Sequence, residues 1–316
     1  LIEESRDGRK HVVIAGSSGF IGSRLVHLFK SWRVTTLDRS PAERAGIESF
    51  KWDGETLGEW TSCLEGADAI INLSGAPISV KWDAVNKEKI RASRINSTQA
   101  IGSALAKVPN PPRVWINGSA VGFYGDRGDT VLYETAEAGK GFLSDICRSW
   151  EAAAQDAAPP ETRLVLMRTG FVLGRGGGAF KPLRNLALFG LGGSAGSGNQ
   201  WVPWIHLDDL CRMFIWAAEN ERLRGPVNGS APEPVRNRDL MTKLRKELNR
   251  PWAPPAPSFA LKVLGEIAGP DSELLLDSQR AVPRAAIDSG FTWNFPSIGE
   301  ALHDLVRSPQ PGAFLA

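Results

Sequence analysis

Three cysteines in 316 residues, Cys63, Cys147 and Cys211, are scattered and odd in number. They make neither a disulfide framework nor a CxxC metal pair, so a reducing compartment is expected. No apolar run approaches the roughly 20 residues that cross a bilayer. Neither sign of charge is in excess: 37 Lys and Arg against 35 Asp and Glu leave +2, so nothing asks for nucleic acid or an acidic membrane face. Tyrosine is scarce, with only Tyr124 and Tyr133, and histidine nearly so, with His11, His27, His206 and His303. Any mechanism that needs either residue can therefore be checked exhaustively. There is no HExxH, and no GxSxG with a supporting triad order. The opening Leu1–Asp7 is too charged for a signal peptide. A cytoplasmic location is expected, with an upstream organelle-targeting segment left open. What remains is an ordinary globular chain. Its 42% hydrophobic and 23% charged residues exclude a disordered chain or a coiled coil, and its length supplies a full core without staples.

Strands alternate with helices along the chain. His11–Ala15 is a short β-branched run ending in glycine, as a buried parallel strand reads. Phe20–Phe29 carries Phe20, Ile21, Leu25, Leu28 and Phe29 at helical spacing. Strands follow at Arg33–Leu37, Ala69–Leu73, Arg113–Gly118 and Leu164–Arg168, with helices at about Asp83–Val108 and Leu143–Ala158. This alternation predicts an α/β fold with a doubly wound parallel sheet. Beyond Gly174 come two glycine-rich loops around a short helix, Phe180–Leu188. A stretch with four prolines, Pro251–Pro257, must be extended. Short helices follow, one opened by the capping box Ser297-x-x-Glu300.

The chemistry-bearing signal is Gly16-Ser17-Ser18-Gly19-Phe20-Ile21-Gly22, where the first strand becomes the first helix. The first glycine permits a tight turn, the second lets backbone amides approach a pyrophosphate, and the third lets helix pack on strand. The helix N-terminus adds free N–H groups and the positive end of its dipole. A glycine triplet alone is weak. Placed between strand and helix, with Asp38 closing the second strand, it predicts a dinucleotide site that includes Gly16, Ser18, Gly19, Phe20, Ile21 and Gly22.

The GxxGxxG spacing, with Asn72-Leu73-Ser74-Gly75-Ala76 and Ser119-Ala120-Val121-Gly122-Phe123-Tyr124-Gly125, resembles the extended short-chain dehydrogenase/reductase superfamily. Further motifs are similar to its atypical "epimerase family protein" branch, related by fold to sugar-nucleotide epimerases. They are Arg91–Arg94, Arg168–Gly178, Pro203–Leu210, Ser278–Pro283 and Gly290–Trp293. The resemblance runs from about His11 to Val306. It implies an NAD(P)-binding Rossmann core at 11–174 after a tail at 1–10, and a segment at 175–240 completing the core and substrate region. A small, mostly helical C-terminal domain of substrate type would occupy 241–316. It also implies cofactor contacts from Leu73, Ser74 and Gly75, from Arg94 on the next helix, and from Val172. Bacterial members of this branch are sometimes labelled cell-division inhibitors, and plant relatives act in chloroplast division.

Two neighbouring residues pull the cofactor choice in opposite directions. Asp38 can accept from a ribose 2′-hydroxyl and would repel a 2′-phosphate, whereas the Arg39 guanidinium can pair that phosphate. The branch usually places a small or neutral residue before this arginine, so Asp38 departs from its pattern. NADP(H) is favoured by the resemblance and by Arg39, and NAD(H) stays open through Asp38.

Short-chain dehydrogenases generally pair a tyrosine with a lysine four residues later, which lowers the tyrosine pKa. Here Tyr124 has Gly128 at that offset and Tyr133 has Glu137. Aligning the helix through Ser149-Trp150-Glu151 puts Leu143 and Cys147 where the pair would stand. Ser119, Tyr124 and His206 remain as catalytic candidates, and His206 reads equally well as a core or capping histidine. Two functions follow: an NAD(P)-dependent oxidoreductase or epimerase acting on an unknown small molecule, or a non-catalytic NADP(H)-sensing regulator, for example in cell division. The expected partner is the small-molecule substrate, with no nucleic acid, no membrane, no metal, and a homodimer left open.

Overall fold

The computed structural model describes residues 8–267 and 272–308. Seven parallel strands form its main sheet: β1 (His11–Ala15), β2 (Arg33–Asp38), β3 (Glu48–Lys51), β4 (Ala69–Asn72), β5 (Val114–Ala120), β7 (Arg163–Thr169) and β12 (Gly225–Gly229). Their spatial order is β12-β7-β5-β4-β1-β2-β3. The chain runs outward from β1 through β2 to β3, then returns to lay β4, β5, β7 and β12 on the other side. The order therefore reverses between β1 and β4, and ligands of such sheets bind at the strand carboxyl ends beside that reversal.

Strand alternation divides the core in two. Val12 and Ile14 face one layer, under α1 (Phe20–Leu28) and α5 (Leu207–Glu219), where Leu25, Phe29 and Phe214 are buried. Val13 and Ala15 face the other, with Trp115, Ile101 and Ala154, under α2 (Ala84–Leu105) and α3 (Phe142–Ala157). The α2 and α3 backbones approach so closely that a Cβ on Gly102 would meet the Ala157 Cβ at 2.3 Å. Two of the seven strands have no strand signature in the sequence. Glu48–Lys51 is a four-residue edge, and Gly-Pro-Val-Asn-Gly at 225–229 becomes a strand by pairing with β7.

The later chain builds a third apolar cluster. Strands β8 (Phe171–Gly174), β9 (Gly177–Gly178) and β11 (Trp204–His206) form a small sheet beside α4 (Phe180–Leu188), α6 (Asn237–Glu247) and α10 (Ile298–Arg307). The capping box expected at the start of α10 is present, with the Ser297 hydroxyl accepting from the Glu300 N–H. Helices α7 (Ser258–Ile267), α8 (Glu273–Leu276) and α9 (Arg284–Asp288) complete the region, with the pair β10 (Trp201–Val202) and β13 (Val235–Arg236). The ladder between β6 (Val131–Leu132) and β14 (Arg280–Ala281) straps the C-terminal region onto the segment that follows β5. Among the described residues, no helix is long and apolar enough to cross a membrane.

Candidate cofactor crevice and active site

Each glycine of the loop solves a different steric problem. Gly16 turns at φ +81°, and a Cβ there would lie 2.9 Å from the Leu73 carbonyl carbon, so β1 and β4 can end side by side. Its N–H donates to the Leu37 carbonyl at 2.9 Å. A Cβ on Gly22 would come within 2.3 Å of the Gly16 oxygen, so only glycine lets α1 sit down on the loop. Gly19 is different: a Cβ would meet nothing nearer than the Gly16 oxygen at 3.4 Å. It caps α1 in an extended conformation without a side-chain acceptor, and the first turn holds no acid. The opening N–H groups of α1, on Phe20, Ile21 and Gly22, are thus offered to an anion at the positive end of the helix dipole. The ring of Phe20 turns away to fill the glycine-rich turn: Cβ atoms on Gly174, Gly177 and Gly178 would strike it at 2.5–2.7 Å. Ile21 packs into the α1 side of the core. Val172, beside this turn, is buried, and its carbonyl accepts from the Ala179 N–H.

Asp38 is buried at the end of β2 and faces the loop. One carboxylate oxygen accepts from the Ser18 N–H at 2.9 Å, and the other from the Ser17 hydroxyl. The Arg44 guanidinium donates to that same hydroxyl from 3.3 Å. Arg39 is exposed.

Across the crevice, buried amides fix the end of β4. Asn72 and Asn117 lie opposite each other, and the Asn72 side chain donates to the Asn117 Oδ1 at 2.9 Å. The Asn72 Oδ1 accepts from the Ser74 N–H at 3.1 Å, while the Leu73 N–H is held by Ala15. Arg94 reaches over Gly75 from α2 and donates to the Ala76 and Ile90 carbonyls, both at 3.0 Å. Its guanidinium lies 5.2 Å from the centre of the Trp150 ring. Burial lowers its pKa, and no carboxylate among the described residues neutralises it.

The Ser119 side of the edge is wired internally. The Ser119 hydroxyl donates to a Glu151 oxygen at 2.6 Å, and Arg168 grips the same carboxylate through two bonds of 2.8 Å. Arg168 also donates to the Tyr124 hydroxyl at 3.0 Å, and Tyr124 donates to the Asn228 Oδ1 at 2.7 Å. The Asn228 N–H donates in turn to Glu134 at 3.1 Å. Phe123 lies against the Arg168 guanidinium, its ring centre 3.5 Å away. Tyr124 is fully buried, and burial raises its pKa despite the nearby Arg168. Glu151 and Arg168 did not stand out among the sequence candidates. A usable signal was present in the apolar run Leu164–Met167 ending in an arginine, because a buried charge requires a partner.

Along α3, Leu143 packs against Gly122, where a Cβ would touch it at 3.0 Å, and Cys147 lies one turn further on. Burial pushes the Cys147 thiol up to about 11, so it stays protonated at neutral pH. His206 caps α5, its Nδ1 accepting from the Asp208 N–H at 3.2 Å. Its ring lies 4.0 Å from that of Phe295, and its Nε2 is 3.5 Å from an Asp304 oxygen. The observed contacts of His206 thus run toward α5 and α10. Ser119 and Tyr124 are brought into one network through Arg168, whereas His206 belongs to a separate one.

A parallel sheet with its glycine turn at the β1/β4 reversal and an uncapped helix start beyond it is the frame of a dinucleotide-binding protein. Residues 12–228 match the model of the NAD dependent epimerase/dehydratase family, and residues 256–305 match a domain of unknown function, DUF1731. The chain belongs to this epimerase/dehydratase family. It is 39% identical to an epimerase family protein of Mycobacterium leprae over 95% of this chain and 97% of that one. It is 34% identical to the chloroplastic SDR39U1 homologue of Arabidopsis thaliana over 97% of this chain and 90% of that one. The crystal structure of human SDR39U1 with NADPH superposes with a TM-score of 0.85 at 32% identity, covering 95% of this chain and all of that one. The protein is thus an NAD(P)-binding member of the extended short-chain dehydrogenase/reductase group.

Proposed function

We propose that the protein binds NADP(H) in the crevice between β1 and β4 and acts as an oxidoreductase or epimerase-like enzyme on a small molecule, without a Tyr–Lys dyad. The observation that carries this reading is the positive charge left unbalanced around the crevice: the α1 N–H groups are uncapped, and neither Arg39 nor the half-buried Arg94 pairs with a carboxylate among the described residues. An uncompensated guanidinium in a cleft marks a place for an anion. That the human relative was crystallised with NADPH supports the choice of dinucleotide. Gly16, Ser18, Gly19 and Gly22 would hold the pyrophosphate end, and Leu73, Ser74, Gly75 and Val172 would line the remainder. When bound, the nicotinamide supplies or accepts the hydride.

Ser119 would orient a substrate, because it lies one residue from the end of a central strand at the carboxyl edge. With its hydrogen committed to Glu151, its oxygen offers lone pairs, which suits a substrate hydroxyl. Tyr124 serves this reading best as a brace for Arg168 and so for Glu151. His206 would act in proton transfer only if its ring left the α5 cap. Leu143 and Cys147, at the positions of the family dyad, supply no group that titrates near neutral pH. This last feature favours a second reading, an NADP(H)-sensing regulator with no turnover. A panel of alcohols, ketones and sugar nucleotides, followed at the reduced-nicotinamide absorbance band, separates the two. Turnover that is lost in Ser119→Ala supports the enzyme. Tight NADPH binding with no turnover across the panel supports the regulator.

A further inference from the structure

Asp and Glu make up 35 of the 316 residues, yet neither occurs in 176–207 or in 248–265. Lys181, Arg184, Arg250 and Lys262 are exposed in these two stretches and form no ion pair among the described residues. Glu247, just before the second stretch, is taken by His303 at 3.4 Å and Arg307 at 3.9 Å. Folding joins the two stretches. The Ala256 N–H donates to the Ser194 carbonyl and the Gly196 N–H to the Ala256 carbonyl, both at 2.8 Å. A Cβ on Gly193 would collide with the Pro254 carbonyl, so the backbones touch. From this joined surface Leu186, Phe189 and Leu191 project at the end of α4, Trp252 from the proline stretch, and Phe259 and Val263 from α7. The last two are one helical turn apart and share a face. Phe189 is 82% exposed, Trp252 75% and Phe259 73%, so the three rings stand clear of the surface and do not line a groove.

We infer that this face docks the protein on an anionic lipid bilayer, its apolar side chains entering the headgroup region and its cations meeting the lipid phosphates. The inference is independent of the NADP(H) reading. Contiguous exposed apolar side chains mark a surface with a partner, and large apolar groups beside Lys and Arg suit a bilayer interface. Among the described residues no helix is long and apolar enough to cross the bilayer, so the contact is interfacial. The +2 charge of the whole chain, from which no membrane was expected, averages away this local excess of cations. An acidic protein partner would answer the cations equally well. It would need a fitted groove for the apolar groups, whereas projecting rings are received by a fluid phase that closes around them.

The test is co-sedimentation of the full chain with vesicles of phosphatidylcholine alone or of an equal mixture of phosphatidylcholine and phosphatidylglycerol. Wild type should bind the mixed vesicles about a hundredfold more tightly than the neutral ones, since each cation near the surface contributes about fivefold. That preference should shrink as salt is raised. Phe189→Ser and Trp252→Ser should each weaken binding to the mixed vesicles by about tenfold or more. The double variant Lys181→Gln/Arg184→Gln should weaken it by about 25-fold. All of these side chains are exposed, so the variants should keep the wild-type melting temperature. If Trp252→Ser proves unfolded, the double variant on the surface of α4 carries the comparison alone. Wild type that does not bind the mixed vesicles at low salt overturns the inference, and so does equal binding to both vesicles. Binding that survives in every folded variant overturns it as well, by placing the contact on another face. If wild type instead self-associates in sedimentation equilibrium and Phe189→Ser abolishes this, or if it binds polyglutamate but no vesicle, the face is a protein interface and the lipid inference fails.

Discussion

The polar groups around Gly16–Gly22 and those around Ser119 stand at the same edge of one sheet and are wired in opposite ways. At the glycine loop, donors are left over: the first turn of α1 has no side-chain cap, and Arg39, Arg44 and Arg94 face no carboxylate among the described residues. Around Ser119 the groups answer one another, from Ser119 through Glu151, Arg168, Tyr124 and Asn228 to Glu134. A charge buried with its partner rigidifies, and a charge held without one waits for a ligand. The contrast separates the part of the edge that binds from the part that positions.

The sharpest way to break the closed side is Arg168→Met. It leaves the buried Glu151 carboxylate without its bidentate partner, and such a loss costs about 3–5 kcal/mol. Urea unfolding should register it, and a loss below about 1 kcal/mol would mean that the pair does not organise the site. On the open side, two glycines should part company. Gly22→Val drives a side chain into the Gly16 carbonyl and should cost about 1–3 kcal/mol as well as cofactor binding. Gly19→Val meets only the Gly16 oxygen, at an ordinary contact of 3.4 Å, and should unfold within about 1 kcal/mol of wild type, the typical cost of a poorer N-cap.

Tyr124→Phe should cost about 1–3 kcal/mol by leaving the Asn228 oxygen short of a donor in a buried site. Loss of turnover in this variant with unaltered stability would instead return Tyr124 to a catalytic role. His206 gives the smallest effect and the one that depends on pH. Burial holds its pKa below the ordinary 6.5, with Asp208 and Asp304 opposing the shift. The unfolded chain therefore binds the proton more readily than the folded one, and the stability contribution is complete above about pH 6.5 and lost as pH falls. Between about pH 7.5 and 5.5, wild type should lose more unfolding free energy than His206→Asn, which keeps a capping acceptor but cannot titrate. Equal losses would remove His206 from the acid response.

The open side was the more legible of the two in the sequence. Gly16, Gly19 and Gly22 announce themselves by spacing between a β-branched run and a helical one, and α4 and the α10 capping box were readable for similar local reasons. The closed side was not, because Glu151 and Arg168 are 17 residues apart and meet only when α3 packs beside β5 and β7. Asp38 was visible, but the direction of its carboxylate depends on where Ser17 and Ser18 come to rest. The strand Gly225–Gly229 escaped notice because its glycines and proline read as a turn until β7 supplies the ladder.

The most direct test of the contrast is calorimetric titration of wild type and Gly19→Val with NADPH, alongside thermal unfolding with and without the dinucleotide. Wild type should bind, and saturation at about 100 times the dissociation constant should add about 2.7 kcal/mol of stability by mass action. Gly19→Val should melt close to apo wild type and gain nothing from NADPH. A wild type unmoved by millimolar NADPH, or a Gly19→Val variant that binds as tightly as wild type, would contradict the assignment of this crevice to the cofactor.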